Sequence, residues 1–268
     1  MSLVQALVLG AVQGLTEFIP ISSSGHLVVV PELMGWDQPG LAFDVLLHAA
    51  SLVALLVYFS GDLLDLFRGL VAKDRGSRRL VMLLVIGSIP AGLAGLLLGS
   101  YFEGEFEDAS GAALQLLITA AILVAAEAAI KYHEGRAANR GDVLRRTDDL
   151  GPLDATAVGV AQAIAIWPGI SRSGSTIGAG LGLGMARDTA ARFAFLLAIP
   201  ALFGAALVQI PDLGEGTLGI GAGIAGFVAS LITSYAAIAG LLRYLRTNTL
   251  YPFAIYCAVA GPLFYILL

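Results

Sequence analysis

Apolar residues fall into eight long stretches along this chain, with polar residues gathered between them. Six stretches, at 43–60, 80–101, 111–131, 191–210, 216–242 and 250–268, run without interruption. Each approaches the roughly 20 residues that carry a helix across a hydrocarbon core about 30 Å thick. The other two are broken near the middle. Stretch 2–36 is interrupted by Pro20 and Ser22-Ser23-Ser24-Gly25, and stretch 153–185 by Pro168-Gly169 and Ser171-Arg172-Ser173-Gly174. Each break leaves two arms of about 14 residues, too short to cross. The pattern predicts two re-entrant hairpins, each a helix in, a polar loop and a helix out. Bare backbone cannot sit in lipid, so both tips must be buried in protein or line a wet cavity.

Charge placement orients the spans. Arg68, Lys73, Arg75, Arg78 and Arg79 lie between the first two spans, and Lys131, Arg136, Arg140, Arg145 and Arg146 follow the third. Arg243 and Arg246 lie between the fifth and sixth, whereas residues 1–42 and the loops at 103–110 and 211–215 carry no Lys or Arg. If both hairpins return to the face they enter from, every basic loop is cytoplasmic and both termini are outside. A single crossing at 153–185 would put Arg243 and Arg246 outside, so the charges favour an even number of crossings there. The first basic residue is Arg68; without a basic n-region, the apolar start is expected to belong to the mature protein rather than to a signal peptide.

Composition agrees. Hydrophobic residues make up 57% of the 268 residues and charged ones 13%, against about 25% charged in soluble domains. A water-soluble fold of this size could not hide so much apolar surface. The net charge of −5 gives no basic field for nucleic acid. The single cysteine, Cys257, excludes an internal disulfide and a cysteine-built zinc site.

The two broken stretches resemble each other. The segment from Gln13 to Gly25 aligns without gaps to that from Gln162 to Gly174, with Gln, Ile, Ser, Ser and Gly coinciding. Farther on, Phe43 and Leu46-Leu47 line up with Phe193 and Leu196-Leu197. Each half then holds one hairpin and three spans. Three is odd, so the second half is inverted relative to the first. The fold expected is an all-α integral membrane protein of two inverted repeats, 1–132 and 153–268, joined by a cytoplasmic loop at 133–152. Inverted repeats place their site near the midplane, where the broken helices meet.

The tips carry the candidate chemistry. Gln13 and Glu17 share a helix face at i, i+4, followed by Ser22, Ser23, Ser24, Gly25 and His26; the second tip holds Ser171, Arg172, Ser173, Gly174, Ser175 and Thr176. Burying a lone Arg or Glu at membrane depth costs at least ~2.5–3.5 kcal/mol, so these groups need partners and are candidates for function. The combination points to phosphate. Arg172 offers a planar fork for phosphate oxygens. Both tips lead into helix N-termini, which favour anions, and their glycines let backbone approach a ligand. A serine can act as nucleophile beside a base, and His26 can move a proton near neutral pH. Glu17 can orient His26 or bind a hard divalent cation, with Gln13 adding a neutral oxygen. A diphosphate site in a membrane suggests a substrate with a lipid tail.

These blocks, Gln13-Gly14-Leu15-Thr16-Glu17, Ser22-Ser23-Ser24-Gly25-His26 and Pro168-Gly169-Ile170-Ser171-Arg172-Ser173-Gly174-Ser175-Thr176, resemble the signatures of undecaprenyl-diphosphate phosphatase, the bacitracin-resistance family. The resemblance extends to Phe43-Asp44, Glu127 and Pro252-Phe253-Ala254-Ile255-Tyr256. It implies removal of the terminal phosphate from a C55 isoprenyl diphosphate at the outer face of a bacterial plasma membrane, recycling the cell-wall lipid carrier. By motif position, Glu17, Ser23, His26 and Arg172 match the catalytic set. Ser171, Ser173 and Thr176 match the phosphate-binding block, to which the tip residues Ser22, Ser24, Gly25 and Gly174 are added. The family also implies a Mg²⁺ or Ca²⁺ ion, with Glu17 and Gln13 the candidate ligands. Gln13 stands where many members carry Glu, which weakens a metal site built on two carboxylates.

Ser23 is the expected nucleophile, with His26 as general acid/base and Glu17 orienting it or holding the metal. A metal-activated water without a phosphoenzyme is the alternative chemistry. The rival function is a transporter or flippase of polyprenyl phosphate lipids, since broken helices in inverted repeats are transporter architecture. Expected partners are the polyprenyl diphosphate and the bilayer, with a homodimer left open. Asp44 and His48, at i, i+4, either line the site or cap the span entry; their counterparts are Ala194 and Ala198. Glu127 reads as structural, pairing with Lys131 at i+4. The run 131–149 reads as a solvated loop of mixed charge.

Overall fold

The computed structural model describes residues 1–103, 108–209 and 219–268. The expected loop at 211–215 lies outside the described residues, as do residues 104–107 of that at 103–110. Eleven α-helices are described: α1 Leu3–Phe18, α2 Ser23–Leu33, α3 Leu41–Tyr58, α4 Ser60–Val71, α5 Arg75–Glu103, α6 Ala109–Arg140, α7 Pro152–Ile164, α8 Arg172–Gly182, α9 Arg187–Gln209, α10 Ile220–Tyr244 and α11 Tyr251–Leu267. Five of them, α3, α5, α6, α9 and α10, are long and apolar enough to cross a membrane. The sixth expected span is α11, whose 17 residues extend about 26 Å at 1.5 Å per residue. Large side chains such as Leu97, Ile220, Ile232 and Ile266 point outward from these helices, a surface that only lipid covers favourably. The chain is a multi-pass membrane protein.

Both broken stretches form helix pairs. The helix α1 starts on a capping box between Ser2 and Gln5 and stops at Ile19, ahead of Pro20; α2 then begins at Ser23 with Ser22 as its N-cap. In the second pair, Pro152 opens α7 at its first turn, where a missing N–H costs nothing, and Ser171 caps α8. The arms α2, α7 and α8 have 11, 13 and 11 residues, at most about 20 Å each, short of a hydrocarbon core about 30 Å thick.

The halves interlock. The first hairpin's α1 packs along α10, and the second hairpin's α7 along α5. The helices α3 and α9 follow the same rule, α3 on α10 and α9 on α5, while α3 also meets α9 and α6 meets α11. Small residues set the approach. A Cβ on Gly10 would run into the carbonyl oxygen of Gly226, and one on Gly159 into that of Gly87. Gly10 and Gly159 occupy equivalent positions in the Gln13 and Gln162 alignment. Close backbone contact of this kind drives helix association in lipid, where no hydrophobic effect operates between helices. Hydroxyls add to it between α3 and α10: Ser234 donates to Ser51 Oγ (3.0 Å), and Ser230 to the Leu47 carbonyl (3.0 Å). An aromatic core at the tips' level packs Phe18 edge-on against Phe195 at 5.4 Å, with Phe59 beyond at 6.4 Å.

Three features differ from the hydropathy reading. The helix α4 was not expected; it buries none of its side chains. Its apolar Leu64, Phe67 and Val71 are exposed beside Asp65 and Arg68, the composition of an interfacial helix. The helix α6 runs on to Arg140, through much of the stretch read as loop. Apolar content marks where a helix leaves lipid, not where it ends, and Lys, Glu, Arg and Ala continue a helix well in water. The remaining loop is anchored rather than loose. Arg145 makes a forked pair with Asp154 (2.9 and 2.6 Å) and donates to the Leu183 carbonyl (3.1 Å). Its backbone pairs with Gly184 and Ala186, so one residue holds both ends of the second hairpin, and the guanidinium keeps the Asp154 carboxyl below the usual carboxylate range.

Gly10→Val and Gly159→Val should each destabilise the protein by ~1–3 kcal/mol. Thermal unfolding in detergent should show lowered midpoints for both, and an unchanged midpoint for either would contradict the close packing.

Candidate active site

The two tips meet. A Cβ on Gly25 would lie 3.1 Å from the Gly169 Cα, and Ser173 Oγ donates to the Ile19 carbonyl at 3.3 Å. Both tips are built alike. Ser22 Oγ accepts from the Gly25 N–H (3.3 Å) and pairs with Ser24 Oγ (3.3 Å); Ser171 Oγ accepts from the Gly174 N–H (3.1 Å) and pairs with Ser173 Oγ (3.2 Å). Ser22 and Ser171 thus cap the helices α2 and α8, and Ser24 and Ser173 bond to the capping hydroxyls. Each cap fixes a first turn, and each places the next residue, Ser23 or Arg172, at the head of its helix.

Those two residues converge on one carboxylate. Ser23 Oγ donates to Glu17 Oε2 at 2.5 Å, and the Arg172 guanidinium donates to Glu17 Oε1. Gln13 Nε2 also donates to Oε2, at 3.0 Å. His48 Nε2 stands 3.8 Å from the same oxygen, with Nδ1 held 2.8 Å from the Asp44 carbonyl. Glu17 is buried, and its charge is met by a guanidinium and two neutral donors. Removing one partner of such a pair typically costs 3–5 kcal/mol, because the other charge stays buried alone. His48 therefore lines the site, and Asp44 orients it through its backbone; their counterparts Ala194 and Ala198 border a small void of about 10 Å³ shared with Glu17, Arg172, Ser173 and Thr176.

His26 stands elsewhere. Among the described residues it bonds neither Glu17 nor Ser23. Its Nδ1 faces the Ser22 carbonyl at 2.7 Å and its Nε2 the Tyr256 hydroxyl at 2.6 Å. The expected orientation of His26 by Glu17 is therefore corrected: the backbone of Ser22 and the phenol of α11 orient the ring. Ser22 carries a left-handed backbone (φ 71°), a costly conformation for a serine, which turns its carbonyl toward the imidazole.

The second tip is braced by α6, a contribution the sequence reading missed. Thr119 Oγ1 donates to the Gly169 carbonyl (2.9 Å) and accepts from the Ser171 N–H (2.9 Å). Gln115, with its amide oriented to suit its neighbours, donates to the Pro168 carbonyl and accepts from the Trp167 indole N–H. Gly169 has φ +85°, and a Cβ there would strike the Ala112 carbonyl, so the turn requires glycine. Lone polar residues in an otherwise apolar span were the available signal. Ser175 Oγ finds no partner among the described residues, and Thr176 Oγ1 returns to the Arg172 carbonyl at 2.8 Å.

Glu127 is structural, but not as expected. It pairs with Arg187 (2.5 Å) and accepts the Leu250 N–H (2.7 Å), while Lys131 lies over the Tyr251 ring. It ties α6 to the start of α9 and to the turn before α11.

For a divalent ion, the relevant observation is Gln13 Oε1, a buried oxygen without a partner among the described residues. It lies one helical turn from Glu17 on the same face. Among the described residues no cluster of three His, Cys, Asp or Glu could cage a metal. The donors fit an ion held by one carboxylate and one amide oxygen and completed by phosphate oxygens, as Mg²⁺ sites often are.

The chain as a whole is similar to known proteins. A family model described as bacitracin resistance protein BacA matches residues 6–263. Curated undecaprenyl-diphosphatases are similar along their whole length. The one from Methanosphaera stadtmanae is 39% identical, covering 97% of this chain and 96% of its own. That from Thermomicrobium roseum is 41% identical over 97% and 96%, and that from Idiomarina loihiensis 38% over 100% and 99%. The chain belongs to the BacA bacitracin resistance family.

Proposed function

We propose that the protein hydrolyses undecaprenyl diphosphate to undecaprenyl phosphate and phosphate, as the names of its relatives state for them. In doing so it recycles the lipid carrier of cell-wall synthesis and protects against bacitracin. The observation that carries this reading is the Ser23–Glu17–Arg172 constellation: a nucleophile, its proton acceptor and a phosphate-binding cation within one buried cluster.

In this reading the Arg172 guanidinium and the first two N–H groups of α2 and α8 bind the terminal phosphate, the third in each helix being held by its serine cap. Ser22, Ser24, Ser171 and Ser173 hold the two turns in place, and Gly25 and Gly174 let the backbones come close. Ser23 Oγ attacks the terminal phosphorus and passes its proton to Glu17 Oε2. The bond from phosphorus to the bridging oxygen breaks, and undecaprenyl phosphate leaves. Water then cleaves the phosphoserine, and Ser23 recovers its proton. Glu17 and Gln13 would hold a Mg²⁺ or Ca²⁺ ion, which when bound supplies Lewis-acid neutralisation of the diphosphate.

The chain is read as two inverted repeats, residues 1–132 and 153–268, with the cytoplasmic segment 133–152 between them. Each has a re-entrant hairpin and three spans. The reciprocal packing of α1 on α10 and α7 on α5 supports this, as do the equivalent glycines at both crossings. The basic loops then share the cytoplasmic face, and both termini and the site's opening lie outside.

Purified protein in detergent should release phosphate from undecaprenyl diphosphate. Arg172→Ala should lower kcat/KM by about 10²–10³-fold, and Glu17→Gln by a comparable factor. Undiminished release by either would overturn the assignment. Wild type should carry ³²P from terminally labelled substrate, and Ser23→Ala should lose both label and turnover. Chelation should suppress release and added Mg²⁺ or Ca²⁺ restore it; full activity in excess chelator would remove the ion from the scheme.

A further inference from the structure

His26 is held by a residue with no assigned role. The Ser22 carbonyl can only accept, so Nδ1 carries the proton of the neutral ring, and Nε2 is left as the acceptor. The Tyr256 hydroxyl, 2.6 Å away, is then the donor. The two rings lie nearly parallel, 5.7 Å apart at 15°, and Phe264 closes edge-on at 5.8 Å. Three contacts from one face of α11 and one from the tip's own backbone therefore determine how the imidazole stands. The partnership is long-range, with 230 positions between the two residues. It joins the first tip to the last helix.

The arrangement separates two proton duties. Glu17 is already bonded to Ser23 and accounts for the proton of the attacking hydroxyl. His26, three residues farther along α2 and bonded to neither, is free for the other duty, deprotonating the water that cleaves the phosphoserine. In this step the Tyr256 hydroxyl yields Nε2 to the water: as the water oxygen bonds to phosphorus and the P–Oγ bond of Ser23 breaks, one water proton goes to Nε2, and Oγ takes back the proton held by Glu17. Atoms and charge balance without a further reactant. For this step Nε2 must be unprotonated and fixed, which is what a hydroxyl donor on Nε2 and a carbonyl on Nδ1 enforce.

Resting on the phosphatase reading, we propose that Tyr256 is a positioning residue for the hydrolytic half of the reaction, setting the tautomer and orientation of His26 through its hydroxyl. Tyr256 is partly exposed, so its phenol lies at the edge of the packed core rather than within it.

The test is Tyr256→Phe, which keeps the ring stack and removes only the hydroxyl. Steady-state turnover should fall about 10- to 100-fold, KM should stay within about twofold, and the ³²P-labelled enzyme should accumulate above the wild-type level. His26→Ala combined with Tyr256→Phe should be no slower than His26→Ala alone, since the pair acts as one unit. Unchanged turnover, multiplicative losses in the double variant, or label falling together with turnover would each overturn the proposal. Nitrogen-15 spectra of labelled histidine in nanodiscs give a second measure independent of activity. The wild type should show His26 protonated on Nδ1, and the variant a mixture of tautomers; an unaltered tautomer would overturn the positioning role. A wild type that releases no phosphate would sink the phosphatase reading, while the nitrogen spectra would still judge Tyr256.

Discussion

A carboxylate and a guanidinium buried at membrane depth hold this molecule's centre together. Neither Glu17 nor Arg172 could stay charged in such a place alone. Each is the reason the other is tolerated. Their pairing requires both tips to arrive at one point, and every larger feature serves that arrival. The serine caps set where α2 and α8 begin. The brace from Thr119 and Gln115 fixes the second turn. The glycine crossings let α1 and α7 lie deep against α10 and α5.

Much of this was legible in the chain, and the limits follow from physics. Span positions came from apolar run length, because lipid imposes a minimum on it. The breaks between α1 and α2 and between α7 and α8 came from proline and serine-glycine runs, which interrupt an apolar helix. Glu17, Ser23 and Arg172 stood out because charge and hydroxyls in apolar runs are expensive. The path of His26 was not legible. Its partner Tyr256 lies at the far end of the chain, and no local spacing encodes such a contact. Thr119 stood out as a lone polar residue, but its partners did not, since a threonine within a span more often bonds its own helix. The helical extension of α6 was missed because hydropathy reports solvent rather than backbone conformation.

The two halves are alike in frame and unlike in chemistry. The serine-glycine caps recur with almost the same distances, whereas the reactive groups do not. Opposite Glu17 the second tip carries Ile166, opposite His26 it carries Ser175, and opposite the pair Asp44 and His48 the helix α9 carries Ala194 and Ala198. The first half brings the carboxylate, the hydroxyl and both imidazoles of the site, and the second brings the cation. Two tips capped alike form a one-sided site.

The interlocked crossings also bear on how the protein is made. Glu17 is synthesised among the first residues, yet the guanidinium that neutralises it comes 155 positions later, and α10, against which its helix packs, later still. A nascent chain halfway through synthesis holds an acid with no counter-ion and a glycine face with nothing to clasp. The first tip therefore gains its counter-ion and its packing partner only once most of the second half has been made. Biogenesis, rather than the finished structure, is where this architecture is most exposed.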